Sequence, residues 1–232
     1  MQSPSSQPSA RREFFDGVRD QAPLLLGVVP FGLIFGALAL QAGVSRLGAQ
    51  GLSLFIFAGS AQFVSLNLIA ANAPVAVMVF TVFVVNLRHV LYSASLSRHV
   101  RHLSAGWKAL LAYLLTDEAF AVAQRRYLRP DLTLAHWYTL GTGLTLWVSW
   151  QVSTLVGILF GASIPAGWSL DFALPMTFLA MLLPALVDRP TWVAALSAAG
   201  LALALRPLPY NLGMVTAAMA AVGIAVLLER DR

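Results

Sequence analysis

The chain contains no cysteine. That one absence removes disulfide staples, thiolate metal sites and cysteine nucleophiles together. Charge is nearly as scarce: 11% of the 232 residues are Asp, Glu, Lys or Arg, against about 25% in an ordinary soluble domain. Enzyme signatures are missing too. There is no H-E-x-x-H, no G-x-S-x-G and no carboxylate pair spaced for intramembrane proteolysis, and His99, His102 and His136 fall in expected loops without other ligands beside them. The residues therefore give no reason to expect an enzyme, a metal or a cofactor. The N-terminal stretch "MQSPSSQPSARREFFDGVRD" has no apolar core leading to a small-residue cleavage site, so no cleaved signal peptide is read and the first membrane helix is expected to serve as the insertion signal.

What is abundant is apolar. Hydrophobic residues make up 58% of the chain, and mean hydropathy is +0.74. Apolar runs fall at roughly 23–44, 50–71, 74–97, 107–124, 136–161, 170–187, 191–205 and 208–228. A bilayer core of ~30 Å takes about 20 helical residues to cross, so most of these runs qualify as spans. Those at 107–124, 170–187 and 191–205 are short enough for half-helices or re-entrant pieces. The expected fold class is all-α: a polytopic membrane bundle of seven to eight transmembrane or half-membrane segments. Residues 1–12 read as a disordered tail and 13–232 as one membrane domain, with "REFFDGVRD" a short interfacial helix that turns Phe14 and Phe15 to lipid and its charges to water.

The net charge of +5 does not indicate nucleic acid, because no basic patch is interleaved with aromatics. The cations sit mostly between apolar runs, at Arg11, Arg12, Arg19, Arg98, Arg101, Lys108, Arg125, Arg126 and Arg129, as topology signals do. Those signals conflict. A basic N-terminus favours a cytoplasmic start, yet the basic loops at 98–108 and 125–129 flank a single apolar segment, and both can be cytoplasmic only if that segment fails to cross.

Two internal matches occur in the same order. "FGLIFGA" at 31–37 resembles "VGILFGA" at 156–162, and "LRHVLY" at 87–92 resembles "LRPLPY" at 205–210. Together they suggest duplicated halves, about 20–125 and 136–228. Such halves, often inverted, are a common way of building secondary transporters with broken helices and a site near the midplane.

Charge inside the apolar runs points to function. Arg88 lies fourteen residues from Pro74 and nine from Ser97, so roughly 13 Å of helix or more separates it from either end. A cation there costs from ~2.5 kcal/mol upward unless it is paired or meets water. Its partner is either a substrate carboxylate or an acid of the chain, and the acids at matching depth are Asp117 and Glu118 in "LTDEAFA". A purely structural arginine, satisfied by helix-end carbonyls or a buried carboxylate, is the competing reading. Asn86 and His89 flank Arg88, and His89 is a second titratable candidate unless it is an ordinary hydrogen-bonded core histidine. Helix breakers complete the picture. Pro30 and Gly32 interrupt the first run, Gly59 with Ser60 and Gln62 the second, Pro175 lies in "DFALPM", and Pro207 and Pro209 flank Arg206 and Asn211 in "LRPLPYNLG". Irregular backbone at membrane depth is tolerated where it is buried in protein or lines a cavity, although small-residue clusters also serve plain helix packing.

The stretches "APLLLGVVPFGLIFGALALQAG", "FAGSAQF", "NLRHVLYSASL", "LTDEAFA", "DFALPMTFLAML" and "LPYNLGMVTAAM" together resemble the AzlC family, the large subunit of bacterial branched-chain amino acid permeases and exporters. The resemblance covers the chain from about Pro23 to the last apolar run. It implies export of valine, isoleucine, leucine or a similar neutral amino acid, with methionine a further candidate, across the bacterial cytoplasmic membrane beside a small AzlD-type membrane subunit. No residue role follows from it. On chemical grounds a zwitterionic substrate needs a cation or helix N-terminus for its carboxylate, an acid or carbonyls for its ammonium and an apolar pocket for its side chain, and Arg88, Asp117 or Glu118, and the Phe and Leu residues near "PFG" match these in turn. The expectation is a proton-driven alternating-access transporter. A non-transporting scaffold or sensor subunit and a passive channel are the rivals.

Overall fold

The structure is a computed structural model that describes residues 9–129, 133–161, 186, 189–208 and 212–230. All regular structure among the described residues is helical. Helix α1 spans Ala10–Gln21, a 3₁₀ turn Ala22–Leu24, α2 Leu25–Gln41, α3 Arg46–Ile56, α4 Gly59–Ala70, α5 Val75–Ser97, α6 Ala105–Leu114, α7 Asp117–Tyr127, α8 Ala135–Phe160, α9 Arg189–Ala204 and α10 Leu212–Arg230. Among the described residues, three helical stretches are long and apolar enough to cross a membrane, Ala10–Gln41, Val75–Ser97 and Ala135–Phe160. The chain divides into two compact units, residues 1–62 with 86–162, and residues 63–85 with 163–232.

In the first unit, α1 and α2 lie along α8, and small residues set the approach. A Cβ at Gly36 would strike the Thr154 carbonyl, one at Gly157 the Leu33 carbonyl, and one at Gly161 the backbone of Ala37. Without a hydrophobic driving force between helices in lipid, backbone-to-backbone van der Waals contact of this kind is what holds them. Trp150 fills the neighbouring space against Phe31 and Phe35, with ring centroids 6.1 and 6.2 Å away. The two stretches matched by sequence, 31–37 and 156–162, thus face each other, and partner numbers rise together along both helices. They run parallel, not inverted. Parallel spans require an odd number of crossings between residues 41 and 135, and α6 with α7 is not one of them: Trp107 near the start of α6 lies 5.0 Å from Trp137 at the start of α8, and Tyr127 at the end of α7 meets Thr139, so both ends of this broken segment lie at the same end of α8. The second match is not echoed in local structure, since Leu87–Tyr92 is mid-helix in α5 whereas Leu205–Leu208 is a turn.

Two apolar segments are broken near their middle. Between α3 and α4 the chain turns at Phe57–Ala58, with Phe57 in the left-handed region at φ 32° and ψ 49°. A bulky residue held there costs of order 1–3 kcal/mol and persists only where surroundings fix it. Phe57 is buried and its ring lies 5.9 Å from that of Tyr113. Between α6 and α7 the break is Leu115–Thr116, where Thr116 adopts extended backbone and caps α7 by accepting from the Ala119 amide. Asp117 and Glu118 follow in the first turn, where acids complement the helix dipole.

Several expectations need correction. Pro30 does not break α2, which runs through it from Leu25 to Gln41, and Gly32 is a packing glycine against Ser153. Pro30 and Leu26, whose carbonyl loses its amide partner, are both exposed on the outer side of the helix, so the ring has room. Pro23 instead marks the irregular turn at Ala22–Leu24. Helical structure begins at Ala10, within the stretch expected to be tail, with Ser9 as N-cap accepting from the Arg12 amide at 3.2 Å. Helix α1 is also not a free interfacial helix: Glu13, Gly17 and Gln21, four residues apart, form a stripe buried in the unit, while Phe15 stays exposed.

In the second unit, α4 closes at Asn72, whose φ of 51° lets its amide reach the Ile69 carbonyl at 2.9 Å, a left-handed helix stop. Helices α9 and α10 pack on each other around the turn that follows Ala204, with Gly213 seated against the Leu205 carbonyl.

Candidate functional site

The first unit brings three of the expected site residues into one cluster. Arg88, the fourteenth residue of the 23-residue helix α5, donates through Nη1 to Asp117 Oδ2 at 2.5 Å and through Nη2 to Ser60 Oγ at 2.6 Å. Asp117 is the first residue of α7 and Ser60 the second of α4. One guanidinium therefore joins the N-terminal ends of two half-helices across an unbroken one. Helix N-termini carry unsatisfied amides and the positive end of the helix dipole, which favour an anion. Arg88 and Asp117 side chains each keep 29% exposure, so the pair is neither sealed nor fully hydrated. Its hydrogen bonding is incomplete: Arg88 Nε and Asp117 Oδ1 are buried without a partner among the described residues. Polar atoms left so are costly, and water or a small polar ligand is what ordinarily relieves them.

The opposite ends of the two breaks are also tied. Tyr113, one residue before the end of α6, donates its hydroxyl to the Leu54 carbonyl in the last turn of α3 at 2.5 Å, and Trp147 Nε1 of α8 donates to the same hydroxyl at 2.8 Å. One of the terminal carbonyls that a helix end leaves open is thereby satisfied.

The remaining candidates distribute as follows. Gly59 opens α4, where a Cβ would press on the rings of Trp150 and Phe31. Gln62 is fully buried, and neither its amide atoms nor Asn86 Oδ1 has a partner among the described residues. Gln62 stands two residues beyond Ser60, which on a helix points it to the other side. His89 packs edge-on to Tyr92, with centroids 6.0 Å apart, and Glu118 shares the first turn of α7 with Asp117. Arg206 and Pro207 lie in the exposed turn of the second unit. Pro175, Pro209 and Asn211 fall outside the described residues.

Sequence reasoning missed a second ion pair. Arg126, counted above as a loop charge, is 4% exposed and grips Glu13 through Nε–Oε2 at 2.7 Å and Nη2–Oε1 at 2.8 Å. That withdraws one cation from the 125–129 loop and lessens the conflict in the topology signals. The spacing of Glu13, Gly17 and Gln21 on one helical stripe was the available sign that Glu13 turns inward. No group of three or more metal-binding side chains occurs among the described residues.

The model of one protein family, described as AzlC protein, matches residues 23–164, more than half of the chain. The chain belongs to the AzlC family. It is 33% identical to the inner membrane protein YgaZ of Escherichia coli over 79% of this chain and 78% of that one. It is 31% identical to an uncharacterized membrane protein of Archaeoglobus fulgidus over 89% and 91%, and 26% identical to the branched-chain amino acid transport protein AzlC of Bacillus subtilis over 90% and 82%. No solved structure matches the chain significantly. As an AzlC family member the protein is a multi-pass membrane protein of transporter type, and the Arg88 cluster falls within the matched region.

Proposed function

We propose that this AzlC family protein exports branched-chain or similar neutral amino acids across the cytoplasmic membrane, coupled to protons and in company with a small AzlD-type subunit. The observation that carries the reading is Arg88 bound at once to Asp117 and Ser60 at the starts of two half-helices. Broken helices whose N-termini converge near the bilayer midplane are how secondary transporters hold anionic substrate groups. The name of the Bacillus subtilis relative supports the substrate class.

In this mechanism the substrate carboxylate takes the guanidinium of Arg88 and the open amides of α4 and α7, displacing Asp117. A displaced carboxylate at that depth has lost its cation, and it holds the substrate ammonium while the substrate is bound. When the substrate leaves on the outer side, Asp117 takes a proton there, and it releases that proton inside on returning to Arg88, so substrate and proton move in opposite directions. Glu118 is the reserve proton site. An aliphatic pocket separates neighbours differing by one methylene by only ~1–3 kcal/mol, so overlapping specificity for valine, leucine and isoleucine is expected.

The test is intracellular valine, isoleucine and leucine in dipeptide-fed cells that lack their own exporters, carrying this chain with a small AzlD-type partner or the same pair with Arg88→Ala. Lower pools with the wild-type pair, restored by the equally expressed variant, are expected. Unchanged pools with the wild-type pair would end the substrate assignment, and equal export by the variant would end the role of Arg88.

A further inference from the structure

A cavity of about 290 Å³ lies in the first unit between the C-terminal part of α5, α6, α7 and the start of α8. Its floor is made of buried side chains, Leu96, Leu111, Leu115 and Tyr127, and its outer lining includes the exposed cations Arg101 and Lys108. Neither cation has an ion-pair partner among the described residues. The volume is at the small end of the range for small-ligand sites, ~300–1,000 Å³. An aliphatic body with one carboxylate satisfies such a lining: hydrocarbon against the leucines, charge at the mouth.

Polar detail inside narrows the ligand. Thr139 Oγ1 donates to the Ala135 carbonyl at 3.1 Å, so in its 3.0 Å contact with Tyr127 the tyrosine must be the donor. The Tyr127 oxygen is left as an acceptor on the cavity lining, suited to an ammonium. Cations for a carboxylate, an acceptor for an ammonium and an apolar floor are the requirements of a free aliphatic amino acid.

The cavity is also in line with Arg88. Along α5, residues 88, 92 and 96 recur at one-turn intervals on one face, and on α7 residues 117, 120 and 127, one turn and then two turns apart, share a face. Arg88 and Asp117 form the ion pair. One turn on, Tyr92 and Phe120 stack with centroids 4.5 Å apart and planes 14° from parallel. Beyond that plate Leu96 and Tyr127 line the cavity, whose lining also includes Leu115 of the α6–α7 break.

We propose that this cavity is a vestibule that receives one aliphatic amino acid, carboxylate toward Arg101 and Lys108, separated from the Arg88 cluster by the Tyr92–Phe120 plate. The inference rests on the transport reading above and extends it to a second binding place on the same path.

The experiment is counterflow of labelled leucine, isoleucine and valine in proteoliposomes holding the full chain and its small partner, which needs no ion gradient. Ala112→Phe and, from the α5 wall, Ser93→Leu fill the cavity without touching Arg88, Asp117 or Ser60, and using two walls guards against one variant failing to assemble. Leucine and isoleucine flux is expected to fall about tenfold, with valine reduced less, since the larger side chain is excluded first. Arg101→Gln with Lys108→Gln is expected to raise the half-saturating leucine concentration several-fold at an unchanged maximal rate. Wild-type selectivity and half-saturation in all three variants, each reconstituted at wild-type level, would overturn the vestibule while leaving Arg88 untouched. Native mass spectrometry showing a phospholipid lost from the Arg101→Gln, Lys108→Gln protein, with selectivity unchanged, would overturn it in favour of a lipid site. A wild-type pair that moves none of the three amino acids would remove the underlying reading, and the vestibule with it.

Discussion

Glu13→Ala should destabilise the protein severely while sparing the chemistry of the Arg88 cluster. The Glu13 and Arg126 side chains are 11% and 4% exposed and meet through two parallel hydrogen bonds of 2.7 and 2.8 Å. Exposed ion pairs are worth little, but this one is withdrawn from solvent. Removing one partner leaves the other charge buried without its counterion, a loss of about 3–5 kcal/mol. For a chain of this size one kcal/mol corresponds to roughly 2–4 °C in Tm, so the midpoint should drop by roughly 6–20 °C, read by tryptophan fluorescence on detergent-purified protein. Removing both charges with Glu13→Leu and Arg126→Met should recover most of that loss, because the cost comes from the orphaned charge and both replacements are apolar. Below the lowered midpoint, transport of leucine by Glu13→Ala should persist. A midpoint within about 2 °C of wild type would refute the buried-pair account, and recovery absent from the double variant would show that Glu13 acts through packing.

Ser60→Ala removes the second hydrogen bond of Arg88, and leucine transport should weaken several-fold in half-saturation with stability nearly unchanged, as measured by counterflow beside a melting curve. Gly36→Val forces a side chain into the Thr154 carbonyl and should lower stability by about 1–3 kcal/mol, whereas Gly27→Ala, with nothing within 4 Å of its Cβ, should be neutral or slightly stabilising; paired melting curves decide it. Tyr113→Phe takes the donor from the Leu54 carbonyl and the acceptor from Trp147 Nε1, two bonds of about 0.5–1.5 kcal/mol each, so a Tm loss without a change in substrate selectivity is expected.

Much of the site was legible because the price of misplaced polarity is steep in a bilayer. A mid-run arginine demands a partner, and of the two acids at matching depth, Asp117 and Glu118, Asp117 is the one it meets. "FAGSAQF" announced a break by placing small residues with polar neighbours inside an apolar run, and that segment is broken there; the break before Asp117 was not read, although Thr116 ahead of two acids is an N-cap pattern. Pro30 misled because the cost of a proline depends on which side of the helix the ring and the abandoned carbonyl face, which no local pattern records. Arg126 misled for a different reason: its partner is 113 residues away, and an arginine beside an apolar run has the same sequence signature whether it meets lipid headgroups, water or a glutamate. The matched stretches at 31–37 and 156–162 were visible as a likeness, but only their facing glycines explain it, since each supplies the small residues that the other's backbone needs.

The two broken segments differ in how their breaks are held, and the difference bears on movement. On one side the half-helices α3 and α6 are joined by a neutral hydroxyl–carbonyl bond that α8 supports through Trp147. On the other, Arg88 joins α4 and α7 through Ser60 and Asp117, a cation for which the proposed substrate's carboxylate would compete directly. A ligand shifts a conformational equilibrium only by its differential affinity for the two states. An amino acid carboxylate has no group to exchange with the Tyr113 linkage, but it can replace Asp117 on Arg88. If the protein moves amino acids as proposed, the Tyr113 side is the fixed edge and the Arg88 side the one that substrate opens. Movement of α4 and α7 away from Arg88, with α3 and α6 still joined, is the form of alternating access these contacts favour.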